Sequence, residues 1–425
     1  MSTELEKTEQ AQGSESATNS RNLWAVSATS FFTDISSEMV LHLVPLYLSA
    51  LGVGVHVIGL VEGVAKSLTG VLKLAAGHVA DRRRVRKSLA VFGYGVSALC
   101  KPFFAVVTTW QGVAAVRWGE RVGKGLRTAP RDALLADSAS KDERGWVFGF
   151  HRAADTLGAL IGIGIAIWIV SSLQTEPGAA LDPETFRHLV WWSVVPAFLA
   201  VLILAFGARD VPLSTPVKKH RFGLNGLGRP FWIFLAWAAL FDLGDSSDAF
   251  LVLRASERGM GVVDILALLA AFNLVYAGVS TSGGRWSDRI GRRPILIFGW
   301  LLYAGVYYGM ATLESTDALW PLFAFYGMYH GLTHGTAKAL VTDCVPEELR
   351  ATAFGTFHGT LAVLDLPASL LAGILWQGWA GFGGFGPAAP FYFSTVTAVV
   401  AALGMAASPS LGKAQLSLRG EPDPP

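Results

Sequence analysis

The stretch GHVADRRRVRK at 77–87 returns as GRWSDRIGRRP at 284–294, about 207 residues further along the chain. Gly77 falls over Gly284 and Asp81 over Asp288. ALLADSASKDERGWVFG (133–149) falls over ALVTDCVPEELRATAFG (339–355), matching Asp137 with Asp343 and Arg144 with Arg350. LGVG (51–54) falls over RGMG (258–261). Self-similarity at a fixed offset means that one structural unit has been used twice. What that unit is follows from the segments between these basic loops.

Those segments are apolar. The chain of 425 residues is 52% hydrophobic and 16% charged, against about 25% charged in an ordinary soluble protein. Apolar runs of about 20 residues recur, each long enough to cross roughly 30 Å of hydrocarbon as a helix. Strand-period alternation, the sign of an outer-membrane barrel, is absent. Twelve transmembrane helices are predicted, at 22–50, 55–80, 88–109, 111–137, 146–171, 187–207, 230–254, 262–287, 294–313, 318–343, 350–377 and 388–408. The fold class is therefore all-α and polytopic, with two six-helix bundles at 22–207 and 230–408 and a linker at 208–229. The polar N-terminus, 1–21, has no signal-peptide pattern and reads as disordered, and the tail 409–425 as loose.

The loops divide their positive charge unevenly. RRRVRK (82–87), KDER (141–144), KKHR (218–221) and DRIGRR (288–293) fall on the N-terminal side of the membrane, and Arg187, Arg254 and Arg258 fall opposite. The positive-inside rule then predicts cytoplasmic termini, a cytoplasmic linker and residence in the cell's inner membrane. The net charge of +2 points to no nucleic-acid partner, and Cys100 and Cys344 offer neither a disulfide framework nor metal-ligand spacing.

The family resemblance is carried by the repeated loop. The GxxxDRxGRR pattern resembles the most specific motif of the major facilitator superfamily, complete from Gly284 to Arg293. The first copy departs from it, with Arg84 at the second glycine. RWGERVGKG (117–125) resembles that family's arginine motif on the fourth helix. FTDISSEM (32–39), SSDAFLVLRA (246–255) and GKGLRTAPRDALLAD resemble a branch of bacterial permeases. Such a resemblance implies two six-helix bundles around a central cavity, alternating access and a site near the midplane. It also implies a gating role for Gly77, Asp81, Arg82, Gly284, Asp288 and Arg289. The small residue allows close helix approach, and the Asp and Arg hold the ends of the halves together until they part.

Enzyme readings fall away. GERVGKG looks like a phosphate loop, but Trp118 stands where its first glycine belongs and Gly125 where its hydroxyl belongs, with no strand upstream. HGLTH (330–334) has the histidine spacing of HExxH but Gly331 in place of the general base, and no GxSxG elbow occurs.

Charged residues inside the spans then become the candidate site, because each costs roughly 2.5–3.5 kcal/mol at the bilayer centre. Asp34, Glu38 and His42 recur at i, i+4 and i+8 of the first helix and so share one face. Asp34 lies roughly 18 Å along that helix from Asn22, near the midplane, where a carboxylate suits reversible protonation. A fixed salt bridge to the second or fourth helix is the plainer alternative. On the fourth helix Arg117, Glu120, Arg121, Lys124, Arg127 and Arg131 fall within an arc of roughly 120°. This stripe could bind an anionic group, tune the carboxylates or pair statically. Asp34, Glu38, Glu62 and Asp155 are its candidate partners, with Arg127 and Arg131 the structural members. The repeat replaces Arg117, Arg121, Lys124 and Arg131 by Phe323, Gly327, His330 and Ala337. The second half carries Asp242, Asp245 and Asp248 on the seventh helix, His330 and His334 on the tenth, and His358 and Asp365 on the eleventh.

The resulting expectation is a monomeric, proton-coupled secondary transporter that exports a small molecule, with no cofactor and no resident metal. Asp34, Glu38 and His42 would handle the proton. Arg117, Glu120, Arg121, Lys124, Asp155, Asp245, Asp248, His330, His334 and His358 would contact the substrate or pair charges. A divalent transition-metal exporter using the His/Asp set and a non-transporting membrane sensor are the alternatives.

Overall fold

The computed structural model describes residues 2–83, 85–138, 144–174, 181–210, 226–346 and 349–408, and side chains for all of these except 2–19, 81–83, 144, 145, 281 and 351. The described chain is almost wholly helical. In order it forms α1 (Ser2–Glu38), α2 (Val44–Ala50), α3 (Val55–Arg83), α4 (Arg86–Cys100), a 3-10 turn (Lys101–Ala105), α5 (Trp110–Asp137), α6 (Arg144–Leu173) and α7 (Pro183–Gly207). There follow α8 (Gly228–Gly244), α9 (Ala249–Glu257), α10 (Val262–Ile290), α11 (Arg292–Thr312), α12 (Leu319–Asp343), α13 (Arg350–Gln377) and α14 (Ala389–Ala406). A two-residue hairpin, Gly378–Trp379 with Phe382–Gly383, joins the last two. Among the described residues eight of these helices are long and apolar enough to cross a membrane. The other spans are the charged α5, α12 and two spans that are broken into paired helices, α1 with α2 and α8 with α9. α1 is drawn as a helix from Ser2.

Both broken spans are the first of their repeat, and they break at matching positions. α1 ends at Glu38, and α8 ends at Gly244 with Asp245 as its cap. The first break has a visible cause. Pro45 stands at the start of α2, where a continuing helix would lose a backbone donor and clash one turn back. At the second, the DSSD run at 245–248 offers polar side chains that compete with helical hydrogen bonding. There Asp245 N–H donates to Asp242 O at 3.0 Å and Ser246 N–H to Gly244 O at 3.1 Å.

The chain divides into two compact units. One comprises Met1–Leu41, Leu72–Ile169 and Glu184–Lys218, the other His42–Val71, Val170–Pro183 and Lys219–Pro425. In the first, glycines let helices approach closely. A Cβ on Gly93 would stand 2.7 Å from Arg127 N, so α4 and α5 touch backbone to backbone. Gly158 and Gly162 of α6 lie equally close to Phe31 and Ile35 of α1. Leu23, Val26, Tyr94, Leu134, Leu135 and Leu204 form a buried cluster beside them. In the second unit α10 packs along α12, α11 lies between α12 and α14, and α8 sits against α13 and α14. The 55–71 stretch of α3 packs on α13 through Gly59, Gly63, Gly70 and Gly373.

The repeat is visible in three dimensions as a pair of salt bridges. Arg86, at the start of α4, pairs with Asp137 at the end of α5. Arg292, at the start of α11, pairs with Asp343 at the end of α12, at 3.5 Å. Offset by one repeat these are the same contact, which gives the recurring aspartates a scaffold role. Each repeat also ties the start of its third span to the end of its sixth. Lys87 N–H donates to Asp210 Oδ1 at 2.9 Å, and Arg293 Nε donates to Met405 O at 3.0 Å.

Candidate functional site

Each unit holds a polar centre within its helices. In the first, α5 carries the basic stripe, and its deepest members are buried: Arg117 is 3% exposed and Glu120 is fully buried. Glu120 is the hub. Arg121 Nε lies 3.5 Å and Arg117 Nη1 3.9 Å from its Oε2. A buried carboxylate persists when it is paired, and here one acid is shared by two guanidinium groups. Arg127 lies over the Tyr94 ring, 4.4 Å from its centre. Arg131 donates to Ser30 Oγ at 3.1 Å and forks onto Asp132 Oδ1 at 2.8 and 2.9 Å. Arg127 and Arg131 thus have local partners, in keeping with the structural part expected of them.

Asp34 sits in the field of this stripe and of two other acids. Asp155 and Glu38 act on it with like charge, Lys124 and Arg131 with opposite charge. Asp155 has His151 beside it at 3.7 Å on α6. Sequence reasoning missed Lys101. It is 2% exposed, at the junction of α4 and the 3-10 turn, and its Nζ has no hydrogen-bond partner among the described residues. Glu120, Arg127, Glu38 and Asp34 are the charges that act on it. Its position in SALCKPFF, an apolar context ended by a proline, was the available signal.

The expected single face of Asp34, Glu38 and His42 needs correction. The helix stops at Glu38, so His42 lies in the turn before α2 and leaves that face. It belongs to the second unit, where its charge acts on Asp248.

The second centre is built on the break between α8 and α9. Lys66 of α3 places its Nζ 3.2 Å from Asp365 Oδ1 of α13, and the carboxylates of Asp245, Asp248 and Asp242 also act on it. Tyr326 donates to Asp248 Oδ1 at 2.6 Å. Tyr303 and Ser394 donate to Gly244 O at 3.1 and 2.6 Å, which satisfies a carbonyl at the end of α8. Ser247 N–H donates to Ser369 Oγ at 3.2 Å and fixes the turn against α13. Behind it stands an aromatic layer in which Tyr303 and Tyr307 stack 4.0 Å apart. His330 meets the Tyr326 ring edge-on at 4.5 Å, and its Nδ1 lies 3.1 Å from His334 Nδ1.

The structure therefore gathers Asp242, Asp245, Asp248, Asp365, His330 and His42 in one electrostatic neighbourhood, and adds Lys66. That lysine lies eleven residues into α3, about 16 Å from the helix start at 1.5 Å per residue and one turn beyond Glu62. Depth was the signal that could have found it. His358 instead stacks on Phe354 and contacts Phe357. Among the described residues no three His, Cys, Asp or Glu side chains are gathered as a metal site.

Of the loop motif, the side chains of Asp81 and Arg82 lie outside the described residues. Asp288 pairs with Arg292 of α11, and Arg289 is exposed. A Cβ at Gly77 would meet Ala129 at 3.3 Å, whereas one at Gly284 would meet nothing within 4 Å.

Comparison with known proteins follows the same lines. The family model described as Major Facilitator Superfamily matches residues 26–364. An uncharacterised MFS-type transporter of Methanocaldococcus jannaschii is 33% identical over 390 residues, covering 90% of this chain and 94% of that one. A tetracycline resistance protein, class E, of Escherichia coli is 34% identical over 93 residues, 21% of this chain and 22% of that one. Among solved structures, that of the nucleoside transporter NupG superposes with a TM-score of 0.73 at 14% identity, covering 91% of this chain and 99% of that one.

Proposed function

The chain belongs to the major facilitator superfamily, and from that premise we propose that this secondary transporter is a proton-coupled exporter of a small solute. The six-span halves 22–207 and 230–408 are its moving parts. The termini and the 208–229 linker face the cytoplasm of a cell whose inner membrane holds it, and the monomer is the working unit. The resistance function in the name of the partly matching Escherichia coli protein supports the outward direction.

The observation that carries the proton is the setting of Asp34, a midplane acid between like charges (Asp155, Glu38) and opposite ones (Lys124, Arg131). A proton taken up by Asp34 or Glu38 removes one counter-charge from the basic stripe. Lys124 and Arg131 must then be balanced elsewhere, and a conformer that offers other partners gains stability. Differential interactions of this kind yield coupling energies of about 1–3 kcal/mol. Arg117 and Arg121 pair with Glu120, which leaves it out of the exchange. No observation favours the metal exporter or the sensor.

The test begins with a growth screen of a deletion strain across drugs, amines and organic acids. The solute found is then added to everted vesicles carrying a pH gradient reported by a fluorescent dye. Wild type is expected to dissipate the gradient. Asp34→Asn and Glu38→Gln are expected to abolish the dissipation while leaving expression intact. If both substitutions leave solute-driven proton movement at the wild-type rate, the assignment is wrong.

A further inference from the structure

We propose that the gap between α8 and α9 binds a small organic cation with N–H donors, a primary ammonium or a guanidinium, and that Lys66 is a tethered competitor for that site. This rests on the transporter reading above and names the class of its solute.

Charge gives the sign of the ligand. Four carboxylates, Asp242, Asp245, Asp248 and Asp365, act on one lysine, and only Asp365 lies within ion-pair distance of it, at 3.2 Å. Acids therefore outnumber the cation even with Lys66 in place. α8 also ends here, and a helix C-terminus carries the negative end of its dipole. An anionic solute would meet three carboxylates that Lys66 does not cover.

Unsatisfied atoms give its chemistry. Asp242 Oδ2 and His330 Nε2 are buried without a hydrogen-bond partner among the described residues, and the Tyr307 hydroxyl stands beside those of Tyr303 and Tyr326. Tyr307 is 1% exposed, and Asp245 and Asp248 are the carboxylates acting on its hydroxyl. Asp242 Oδ2 and His330 Nε2 can each accept a hydrogen bond, and a buried acceptor left without one is costly. A ligand that brings positive charge and several N–H donors satisfies both the charge and the acceptors. A quaternary ammonium or phosphonium brings charge without donors and leaves both atoms without a partner. Lys66 shows which group the site already tolerates, since its own ammonium rests on Asp365.

Lys66 then has a second task. It neutralises part of the site when no solute is bound, and a solute must displace its field. Removing it is expected to tighten binding, the reverse of what a direct ligand would show.

The test uses the full chain purified in detergent, with thermal unfolding followed by tryptophan fluorescence. Spermidine and guanidinium chloride are the probes, and tetraphenylphosphonium, inorganic phosphate and nickel are the contrasts. Spermidine is expected to raise the midpoint in proportion to the logarithm of its concentration above saturation. Lys66→Met is expected to lower the spermidine Kd at least tenfold, and Lys66→Arg to leave it near wild type. Asp242→Asn and Asp245→Asn are expected to raise it at least tenfold. If Lys66→Met does not fold, the two aspartate variants carry the test. Binding of tetraphenylphosphonium or phosphate in preference to the amines overturns the proposal, as does a weaker spermidine Kd in Lys66→Met. Detergent binding needs no gradient, which separates the two readings. Amines that bind but move no protons in vesicles overturn the coupling and leave the site standing. Proton movement that needs Asp34, with no amine bound, does the opposite.

Discussion

A methyl group added at Gly59 would stand 2.5 Å from the carbonyl oxygen of Ser369 and 3.1 Å from Cζ of Phe250. Comfortable contact lies near 3.5 Å, so α3 and α13 would have to part by about 1 Å. The obstacle at Ser369 is backbone, and no side-chain rotation relieves it. Overpacking of this kind costs about 1–3 kcal/mol, which offsets the roughly 0.5–1 kcal/mol that alanine gains over glycine inside a helix. Gly95→Ala supplies the comparison, because a Cβ there meets nothing within 4 Å and only the helix gain remains. Gly59→Ala is therefore expected to melt below Gly95→Ala by an amount equivalent to about 1–3 kcal/mol. Gly63→Ala should fall between them, since its contacts of 3.0 and 3.1 Å need only a few tenths of an ångström. The seam can be read directly. Ser369 is fully buried, so a cysteine placed there reports opening by its alkylation rate. In the Gly59→Ala background that rate is expected to rise about 5–150-fold, the population shift that 1–3 kcal/mol produces. Equal melting and equal protection of Gly59→Ala and Gly95→Ala would refute the close seam.

Other outcomes follow from single contacts. Asp343→Asn and Asp137→Asn are each expected to cost about 1–2 kcal/mol, discounted for partial exposure. A double-mutant cycle between Asp343 and Arg292 should show positive coupling, and one between Asp343 and Arg86 none. Lys101→Met is expected to leave the melting midpoint unchanged or raise it, because it removes a buried ammonium without hydrogen bonds. A drop beyond that of Gly59→Ala would mean that the ammonium is needed. Burial, and then Asp343, pushes the Cys344 thiol up to about 12 from its ordinary value of about 8.5. The fold thus favours the neutral thiol, so this contribution is intact below about pH 8.5 and is lost as pH climbs from there toward about 12. Cys344→Ser should remove that part of the alkaline loss. Cys344 in native protein at pH 8 should alkylate far more slowly than in unfolded protein.

The fold was legible because its signals are local. Apolar runs and basic loops mark the spans, and the 207-residue echo of GxxxD marks the repeat. The glycine of the complete copy is explained by its backbone, for Gly291 has φ +110°, a conformation that side chains disfavour. The polar centres were legible only where charges cluster in sequence. Asp34, Glu38 and the α5 stripe stood out as a series, whereas Lys66 and Lys101 are single residues whose partners come from other helices. The first break was misread for a different reason. Hydropathy does not fall at Pro45, so a count of apolar residues runs straight through it.

Superposing the two repeats separates what the scaffold needs from what each half does with it. The salt bridge Arg86–Asp137 recurs as Arg292–Asp343, and the first span breaks beside Glu38 as the seventh does beside Asp245. At an offset of 206, however, Lys101 becomes Tyr307, Arg121 becomes Gly327 and Lys124 becomes His330. Backbone positions that bear cations in one half bear hydrogen-bond acceptors or bare backbone in the other. A broken helix exposes the same kind of polar ends in both halves, so the side chains around it set the sign of the charge it can accept. In the first half cations surround Asp34 and Glu38, the proposed proton carriers. Around the second break acids outnumber Lys66, which α3 of the first half supplies. On the proposed reading a proton and an organic cation, alike in sign, each meet an acidic centre of their own beside a broken helix.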